Sequence, residues 1–345
     1  MTTVLVTFAW ERVRELAERH SDVEFLEVKA SGQLERNMGG DGVKRDGVGG
    51  ETGNTKTSNT ATQLESMKAA TPVGEVLLTS PQGVDGLAEI LEAGVRWVHV
   101  VGTGVDRFPI ELLGEQLLTC SRGASAVPIS EWAMAHILAE AKHLPEAWVT
   151  EKPERWFLPQ TPAATLVGQR LGIIGLGAIA TETAKRAMAF GMEVMALRRT
   201  DKPAPLPGIQ VTTSPEELVA EADCLLVACA LTDSTRDFVD SKMLAACKPG
   251  LHLLNVARGE IINEDALRQA LDSGIVERAS LDTAKSEPLP EDHWMFSYPK
   301  VRLTPHISWS EPGALERLRE DFSRNLSRWV SGEPLEGVVD REAGY

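Results

Sequence analysis

Polar residues with complementary chemistry follow three apolar runs in the second half of the sequence. Arg258 comes shortly after one run, and Asp282 comes directly after the next, with Glu287 five residues further on. His306 follows the third run. A guanidinium binds carboxylates, a carboxylate beside an imidazole favours its charged form, and an imidazolium donates protons. These residue types could therefore bind a small carboxylic acid and deliver a proton to it.

A glycine-containing turn, Gly175-Leu-Gly177-Ala-Ile-Ala180, follows the apolar run from Leu171 to Ile174 and precedes a helical pattern over 181–190. This order of strand, tight turn and helix is typical of a site for the pyrophosphate of a dinucleotide. Gly175 permits the sharp turn, Gly177 lets the backbone approach the phosphates, and Ala180 lets the helix pack closely. The helix N-terminus would offer N–H groups to the anion. Glycine-rich turns also occur in ordinary α/β units, so the pattern alone leaves both interpretations open.

Each catalytic candidate also has an ordinary structural interpretation when it is taken alone. Arg258 could lie in a solvated turn, Glu287 on a loop surface and His306 in the core as a hydrogen-bonded side chain. All three, however, follow strands of the segment that carries the glycine turn, and ligands bind at the carboxyl edge of such sheets. The combination favours hydride transfer to the ketone of a 2-oxo acid. His306 would donate the proton, Glu287 would support it, and Arg258 would hold the substrate carboxylate.

The elements that must position these residues alternate between strand and helix in two successive segments. Strands of the first segment are predicted at 4–8, 23–28, 75–79, 97–101 and 117–120. Strands of the second are predicted at 170–174, 193–197, 224–229, 251–256, 278–281 and 301–303. Long helices over 130–143, capped by Ser130, and over 314–330 are expected to cross between the segments. Ser214 and Glu217 are predicted to form a capping box. The pattern predicts an α/β protein with parallel sheets.

Bulk composition narrows the class of protein. The 345 residues suffice for roughly two domains, and 43% of them are hydrophobic, which suits a folded core. A net charge of −15 argues against nucleic acid or an anionic membrane as a partner. We see no secretory signal and no apolar stretch of the ~20 residues that a membrane span needs. Residues 37–63 contain seven glycines and read as a flexible insertion.

The cysteines show neither a CxxC motif nor metal-ligand spacing, so we predict no metal site and a reduced, cytoplasmic protein. They are Cys120, Cys224, Cys229 and Cys247.

The motifs together resemble those of the D-isomer-specific 2-hydroxyacid dehydrogenases, a family that includes glyoxylate/hydroxypyruvate reductases and phosphoglycerate dehydrogenases. The matching motifs are Gly175-Leu-Gly-Ala-Ile-Ala180, Asn255-Val-Ala-Arg-Gly-Glu260, Leu281-Asp282 leading to Glu287-Pro-Leu-Pro290, and Thr304-Pro-His306. The resemblance implies two Rossmann-like domains with doubly wound sheets and a discontinuous first domain. Residues 1–128 and 309–345 would form the substrate (catalytic) domain, and 129–308 the dinucleotide-binding domain. It also implies a homodimer.

The resemblance assigns roles to individual residues. It implies Arg258 as substrate anchor, Glu287 as the partner of the catalytic His306, and Asp282 near the nicotinamide. Backbone N–H groups of the loop Gly102-Thr103-Gly104 would bind the substrate carboxylate. The predicted cofactor-binding residues are Gly175, Gly177, Ala178, Ile179, Arg198, Arg199, Ala230, Thr235, Val256, Ala257 and Asp282.

Two departures from the family pattern bear on specificity. Arg198 and Arg199 stand where the family usually carries an acidic residue for the ribose hydroxyls. A guanidinium attracts a 2′-phosphate that a carboxylate would repel, so NADP is the predicted cofactor, with NAD as the alternative. These arginines could also be merely solvated. Trp309 stands where the family prefers small residues and could reshape the substrate pocket.

Three functional hypotheses are left open by the sequence. The first is NAD(P)H-dependent reduction of a small 2-oxo acid to a D-2-hydroxy acid, and the reverse. The second is a cofactor-sensing binding protein that resembles a transcriptional corepressor on the same fold. The third is a dehydrogenase of an unusual phosphonate- or phosphite-type substrate. Extra basic residues in the first domain would favour the third hypothesis, and the loop Ser80-Pro-Gln-Gly83 offers none.

Overall fold

The computed structural model describes residues 2–7, 14–28, 34–36, 74–144, 147–152, 156, 163–200 and 202–345. The predicted flexible insertion, 37–63, lies outside these residues. The described chain divides into two compact units. Unit 1 contains Met1–Ser121 and Leu318–Glu342, and unit 2 contains Arg122–Arg317 and Ala343–Tyr345.

Unit 1 is built on a six-stranded sheet in the order β3-β2-β1-β4-β5-β6. Its strands are β1 (Thr2–Val6), β2 (Val23–Val28), β3 (Leu34–Arg36), β4 (Val76–Thr79), β5 (Trp97–Val100) and β6 (Leu117–Cys120). All neighbours pair in parallel except β3, which pairs with β2 in antiparallel fashion. The helices are α1 (Arg14–Arg19) and α2 (Leu87–Glu92). β4 and β5 are buried along their whole length, because apolar residues face both sides of a covered parallel sheet.

Unit 2 is built on a seven-stranded parallel sheet in the order β13-β12-β11-β10-β7-β8-β9. Its strands are β7 (Arg170–Ile174), β8 (Glu193–Leu197), β9 (Ile209–Thr212), β10 (Cys224–Val227), β11 (Leu251–Asn255), β12 (Val276–Leu281) and β13 (Val301–Leu303). Its helices are α3 (Ala126–Ala141), α4 (Ala178–Ala189), α5 (Pro215–Ala220), α6 (Ser241–Ala245) and α7 (Glu264–Ser273). A last helix, α8 (Ala314–Ser331), begins in unit 2 and continues into unit 1. The sheet order reverses between β7 and β10, which is where open α/β sheets bind ligands.

The long helix α3 starts four residues earlier than its sequence predicted. Ser125, not Ser130, is the N-cap residue, and Pro128 lies in the first turn, where a missing backbone N–H is tolerated. Ser130 is inside the helix and donates its hydroxyl to the carbonyl of Val127 at 2.6 Å. Because α3 packs on α4 in the unit 2 core, it belongs wholly to unit 2. The predicted domain limit at 128/129 therefore falls within α3, and the limit at 308/309 falls nine residues before the division at 317/318.

Other local expectations also differ from the structure. Ser214 caps α5 by accepting the N–H of Glu217 at 3.1 Å, but Glu217 does not complete a capping box, since its carboxylate bonds to Thr212. The short strands β3 and β9 were not predicted, because three or four residues give too little alternation to recognise. Among the described helices, none has the length and apolar composition needed to cross a membrane.

Candidate active site

The candidate site lies at the carboxyl edge of the unit 2 sheet, where strand ends are aligned in register. Asn255 of β11 pairs with Leu281 of β12, which in turn pairs with Leu303 of β13. On the other side, Ile174 of β7 pairs with Val227 of β10. The loops that follow these residues therefore emerge side by side. They carry the glycine turn and the predicted Arg258, Asp282, Glu287 and His306.

His306 and Glu287 form a direct pair in this row of loops. Nδ1 of His306 lies 3.0 Å from Oε2 of Glu287, and Oε1 of Glu287 accepts the backbone N–H of Ala284 at 3.1 Å. The side chains are 38% and 22% exposed, respectively. A carboxylate can only accept, so the pair assigns a proton to Nδ1 and makes Nε2 the nitrogen that can exchange a proton with a ligand.

The backbone of His306 adopts a left-handed conformation, with φ at 55°. This conformation is uncommon for residues other than glycine and costs about 1 kcal/mol or more. It is held by the buried Asp282, whose Oδ1 accepts the Thr304 hydroxyl at 2.6 Å and the Ile307 N–H at 2.9 Å. Oδ2 accepts the N–H of Ser308 at 3.0 Å, and the backbone carbonyl of Asp282 accepts the N–H of His306 at 2.8 Å. Asp282 therefore fixes the loop that carries the imidazole.

Trp309 adds a further support to the same loop. Its indole N–H donates to the backbone carbonyl of His306 at 2.9 Å. Its ring is partly buried and packs against the core cluster that contains residues of α3, α4 and β7. Within unit 2, Trp309 is thus a support for His306.

Arg258 is brought beside the Glu287 loop by a close backbone approach. A Cβ on Gly259 would lie 2.1 Å from the carbonyl carbon of Ala284, so only glycine fits there. The Asn255 side chain closes the preceding turn by donating to the carbonyl of Arg258 at 2.8 Å and accepting the Ala257 N–H at 3.0 Å. Nη1 of Arg258 also donates to the carbonyl of Ala257 at 2.7 Å. Arg258 and Glu287 are therefore positioned relative to each other through main-chain contact.

The glycine turn connects β7 to α4 in the predicted manner. Gly175 has φ at 90°, and a Cβ there would lie 2.8 Å from Cα of Cys229, so both the conformation and the space require glycine. A Cβ on Gly177, in contrast, would meet nothing within 4 Å, and no side chain caps α4 at this residue. Ala178 is exposed, whereas Ala180 is fully buried against the core. Space and uncapped N–H groups in front of α4 suit the pyrophosphate of a dinucleotide.

The two arginines after β8 differ in their surroundings. Leu197, the last residue of β8, pairs with Ile174 immediately before the glycine turn. Nη1 of Arg198 donates to the carbonyl oxygens of Lys202 and Pro203 at 3.2 and 3.0 Å, which holds this guanidinium in its own loop. The guanidinium carbon of Arg199 lies 5.0 Å from the ring centroid of Tyr345.

The other predicted cofactor residues line the same edge or stabilise it. The hydroxyl of Thr235 donates to the carbonyl of Ala230 at 2.7 Å and accepts the N–H of Thr232 at 2.7 Å, so it closes its own loop. Val256 is buried and Ala257 is partly buried after β11.

The loop predicted to bind the substrate carboxylate belongs to unit 1. Gly102 follows β5 with φ at 140°, and its carbonyl accepts the N–H of Ser121 at 2.9 Å. The carbonyl of Thr103 accepts from the thiol of Cys120 at 3.4 Å, and Thr103 itself is exposed. These hydrogen bonds attach the loop to the end of β6.

The sequence matches the model of "D-isomer specific 2-hydroxyacid dehydrogenase, NAD binding domain" over residues 134–308. It is also 33% identical over 268 residues to the hydroxypyruvate reductase of Thermotoga maritima, a match that covers 76% of this chain and 86% of that protein. The chain belongs to the D-isomer-specific 2-hydroxyacid dehydrogenase family. It is therefore an oxidoreductase that interconverts 2-oxo acids and D-2-hydroxy acids with a nicotinamide cofactor.

Two further proteins are similar to this chain, one in its sequence and one in its fold. The D-3-phosphoglycerate dehydrogenase of Bacillus subtilis is 32% identical over 253 residues, which are 72% of this chain and 48% of that protein. The chain thus matches about half of that relative. A family member from Xanthobacter autotrophicus Py2, solved with NADPH and MES, superposes with a TM-score of 0.79 at 22% identity, covering 100% of both chains. That likeness shows the two-sheet fold. The corepressor-like and phosphonate-type hypotheses are not favoured by these relatives.

Three residues near the candidate site have contacts that the sequence did not indicate, namely Asn255, Gly259 and Tyr345. The Asn255 side chain closes the Arg258 turn, which an asparagine at a strand end could have indicated. Gly259 belongs to one of the motifs that resemble the family. The backbone that it approaches, at Ala284, lies 25 positions further along the chain. Tyr345 reaches Arg199 from even farther in the sequence, and no local pattern marks it.

Proposed function

We propose that the protein reduces a small 2-oxo acid to its D-2-hydroxy acid with NADPH, with NADH as the weaker cofactor. The single observation that supports this most is the pair between His306 Nδ1 and Glu287 Oε2, 3.0 Å apart, on the sheet edge that also carries the glycine turn. In this proposal, unit 2 binds the cofactor and carries the proton donor. Unit 1 would supply the substrate-binding loop.

In the proposed reaction, Glu287 holds the Nδ1 proton of His306, and the imidazolium presents its Nε2 proton to the substrate. A nicotinamide cofactor held at the glycine turn would supply a hydride for the carbonyl carbon. As negative charge develops on the carbonyl oxygen, His306 transfers its proton there and becomes a neutral imidazole. Arg258 binds the substrate carboxylate, aided by N–H groups of Gly102, Thr103 and Gly104. Oxidation of the hydroxy acid reverses each transfer.

The preference for NADPH rests on the cations that follow β8. Arg198 and Arg199 come directly after Leu197, which is paired with the strand that enters the glycine turn. The adenosine ribose of a bound dinucleotide lies near this strand end in the fold, and guanidinium groups favour a 2′-phosphate there. Asp282 would lie near the nicotinamide while it holds the His306 loop. Titration of the protein with NADPH and with NADH would show which cofactor binds more tightly.

The chemical proposal is tested by the loss of NADPH absorbance in the presence of glyoxylate, hydroxypyruvate or phenylpyruvate. We expect His306→Gln to lower kcat by about 10²- to 10⁴-fold, since it removes the proton donor, and Glu287→Gln to lower it less. The variant His293→Gln is a matched control, because His293 Nε2 pairs with Glu264 at 2.9 Å elsewhere in unit 2. Full activity in His306→Gln would contradict the proposal. The proposal would also fail if the unaltered protein reduced neither these acids nor any member of a broader panel of 2-oxo acids.

We also infer a cytoplasmic homodimer. All four cysteines are thiols and not disulfides, and burial raises the pKa of Cys224 to about 12 and that of Cys229 to about 11, which suits reduced thiols. The homodimer follows from the family resemblance. Light scattering coupled to gel filtration would measure the mass of the particle against the 37.5 kDa of one chain.

A further inference from the structure

Residues 343–345 lie against two loops on the carboxyl side of the unit 2 sheet. The chain leaves unit 1 after Glu342, and Ala343–Tyr345 belong to unit 2. A Cβ on Gly344 would lie 3.6 Å from the methyl carbon of Thr232, in the loop that follows β10. The next residue, Tyr345, places its ring over Arg199, in the loop that follows β8.

The two loops flank the strand that leads into the glycine turn. In the sheet, β7 lies between β10 and β8. A segment that contacts the loop after β10 and the loop after β8 therefore spans the end of β7. The glycine turn starts at this end, with Gly175 donating its N–H to the carbonyl of Leu197 at 3.0 Å. Residues 343–345 thus border the part of the edge that holds the adenosine half of a dinucleotide in this fold.

The contact of Arg199 with Tyr345 is a cation–π contact, with the guanidinium carbon 5.0 Å from the ring centroid. Such a contact restrains the guanidinium through the ring and does not use its N–H groups as hydrogen-bond donors to another oxygen. N–H donors of a restrained guanidinium can therefore still bind a phosphate. Arg198 differs, because its Nη1 already donates to two backbone carbonyl oxygens. Of the two arginines, Arg199 is the one whose described contact is with an aromatic ring rather than with backbone carbonyl oxygens.

We propose that Tyr345 is a specificity-determining residue that holds Arg199 in position for the 2′-phosphate of NADPH. The inference rests on the proposed use of NADPH. Since NADH lacks the 2′-phosphate, Tyr345 contributes to the binding of NADPH and not to that of NADH. The residue acts through Arg199 and is a positioning residue, separate from the groups that transfer hydride and proton.

The test compares dissociation constants for NADPH and NADH in the full chain by calorimetry, without substrate. We expect Tyr345→Ala to weaken NADPH binding about fivefold, as for a partly exposed cation–π contact, and to change NADH binding by less than about twofold. Tyr345→Phe should bind NADPH like the unaltered protein, because the contact uses the ring and not the hydroxyl. Tyr298→Ala removes the other of the two tyrosines, which packs on Trp294, and should leave the NADPH/NADH ratio unchanged.

A double variant distinguishes the contact between Tyr345 and Arg199 from a general effect of residues 343–345 on cofactor binding. In an Arg199→Ala background, Tyr345→Ala should cause no further loss of NADPH affinity. Equal weakening of both cofactors by Tyr345→Ala, tighter binding of both, or an additive double variant would overturn the inference. Should the unaltered protein prefer NADPH and Tyr345→Ala keep the full preference, only the role of Tyr345 fails. Equal binding of NADPH and NADH by the unaltered protein would instead contradict the proposed cofactor preference and this inference together.

Discussion

At the carboxyl end of β12, one buried carboxylate organises the loop of the proposed proton donor. Asp282 is 1% exposed, and its two side-chain oxygens and backbone carbonyl accept four hydrogen bonds from Thr304, His306, Ile307 and Ser308. A buried carboxylate is stable only when its oxygens are paired in this way. The left-handed conformation of His306 is thus maintained by contacts from another strand end, and positioning of the imidazole depends on residues that need not touch the substrate.

Trp309 provides a residue-scale prediction, because its indole N–H is 2.9 Å from the His306 carbonyl. Trp309→Phe keeps an aromatic ring in the core but removes the hydrogen bond. We expect kcat to fall about fivefold, with KM for NADPH unchanged, since a hydrogen bond contributes about 1 kcal/mol to the loop geometry. Steady-state kinetics over a range of pH would check this.

A matched control is Trp294→Phe, which removes another indole hydrogen bond, from Trp294 to Glu264 at 2.7 Å. It should leave kcat unchanged. A Trp309→Phe enzyme with unaltered kcat, or one whose KM for NADPH rises instead, would show that Trp309 does not support His306.

At the scale of elements, the glycine turn between β7 and α4 combines two glycines with different constraints. Gly175 is required by its φ of 90° and by the backbone of Cys229, whereas Gly177 has φ at −97° and open space in front of it. The first glycine is therefore required by the fold, whereas the second leaves space for the proposed cofactor. The sequence motif predicts the same division, with Gly175 for the sharp turn and Gly177 for the approach of the backbone to the phosphates.

Substitution by alanine should affect stability at one of these glycines and cofactor binding at the other. Gly175→Ala should lower the free energy of unfolding by about 2 kcal/mol or more, because of strain and a clash with Cys229. Gly177→Ala should unfold at the same temperature as the unaltered protein but bind NADPH at least about tenfold more weakly, because its methyl group occupies the space of the pyrophosphate. Thermal unfolding and calorimetric titration would measure both. Gly177→Ala with full NADPH affinity would refute the assignment of that space to the cofactor.

The alternation of apolar runs and helical patterns was sufficient to predict the α/β class, the parallel strands and the strand ends that carry the site. Buried parallel strands are continuous apolar segments, which makes them recognisable in a sequence. The start of α3 was wrong, because Ser130 resembles a cap and Pro128 resembles an interruption when only local residues are considered. The contacts of Gly259 and Tyr345 depend on residues far away in the chain, so no local pattern could reveal them.

At the scale of the whole molecule, each unit buries a histidine in its sheet. His99 of unit 1 bonds to Thr119 and Ser121 at 2.8 and 3.1 Å, and His252 of unit 2 bonds to Ser280 at 2.9 Å. Burial lowers the pKa of both residues from 6.5 to about 3. Both imidazoles are therefore neutral in the folded protein over a pH range in which the unfolded chain would bind protons.

These two histidines predict a loss of stability in mild acid. Below a pH of about 6.5 the unfolded state binds a proton at each histidine and the folded state does not, so the free energy of unfolding falls as the pH falls toward about 3. At about pH 5 the loss is about 2 kcal/mol for each histidine. Denaturant titrations at about pH 7.5 and pH 5 would measure it. His252→Asn should reduce the difference between the two pH values by about 2 kcal/mol, and an unchanged difference would refute the contribution of His252.

The described contacts that hold the proposed proton donor come from Asp282, Glu287 and Trp309, all of which belong to unit 2. The loop proposed to hold the substrate carboxylate, Gly102 to Gly104, comes from unit 1. On this proposal, residues of unit 1 around the substrate could change without disturbing the residues of unit 2 that move the proton. Across a lineage, this separation would let new substrate preferences arise by divergence of the first unit while the reaction itself is inherited unchanged.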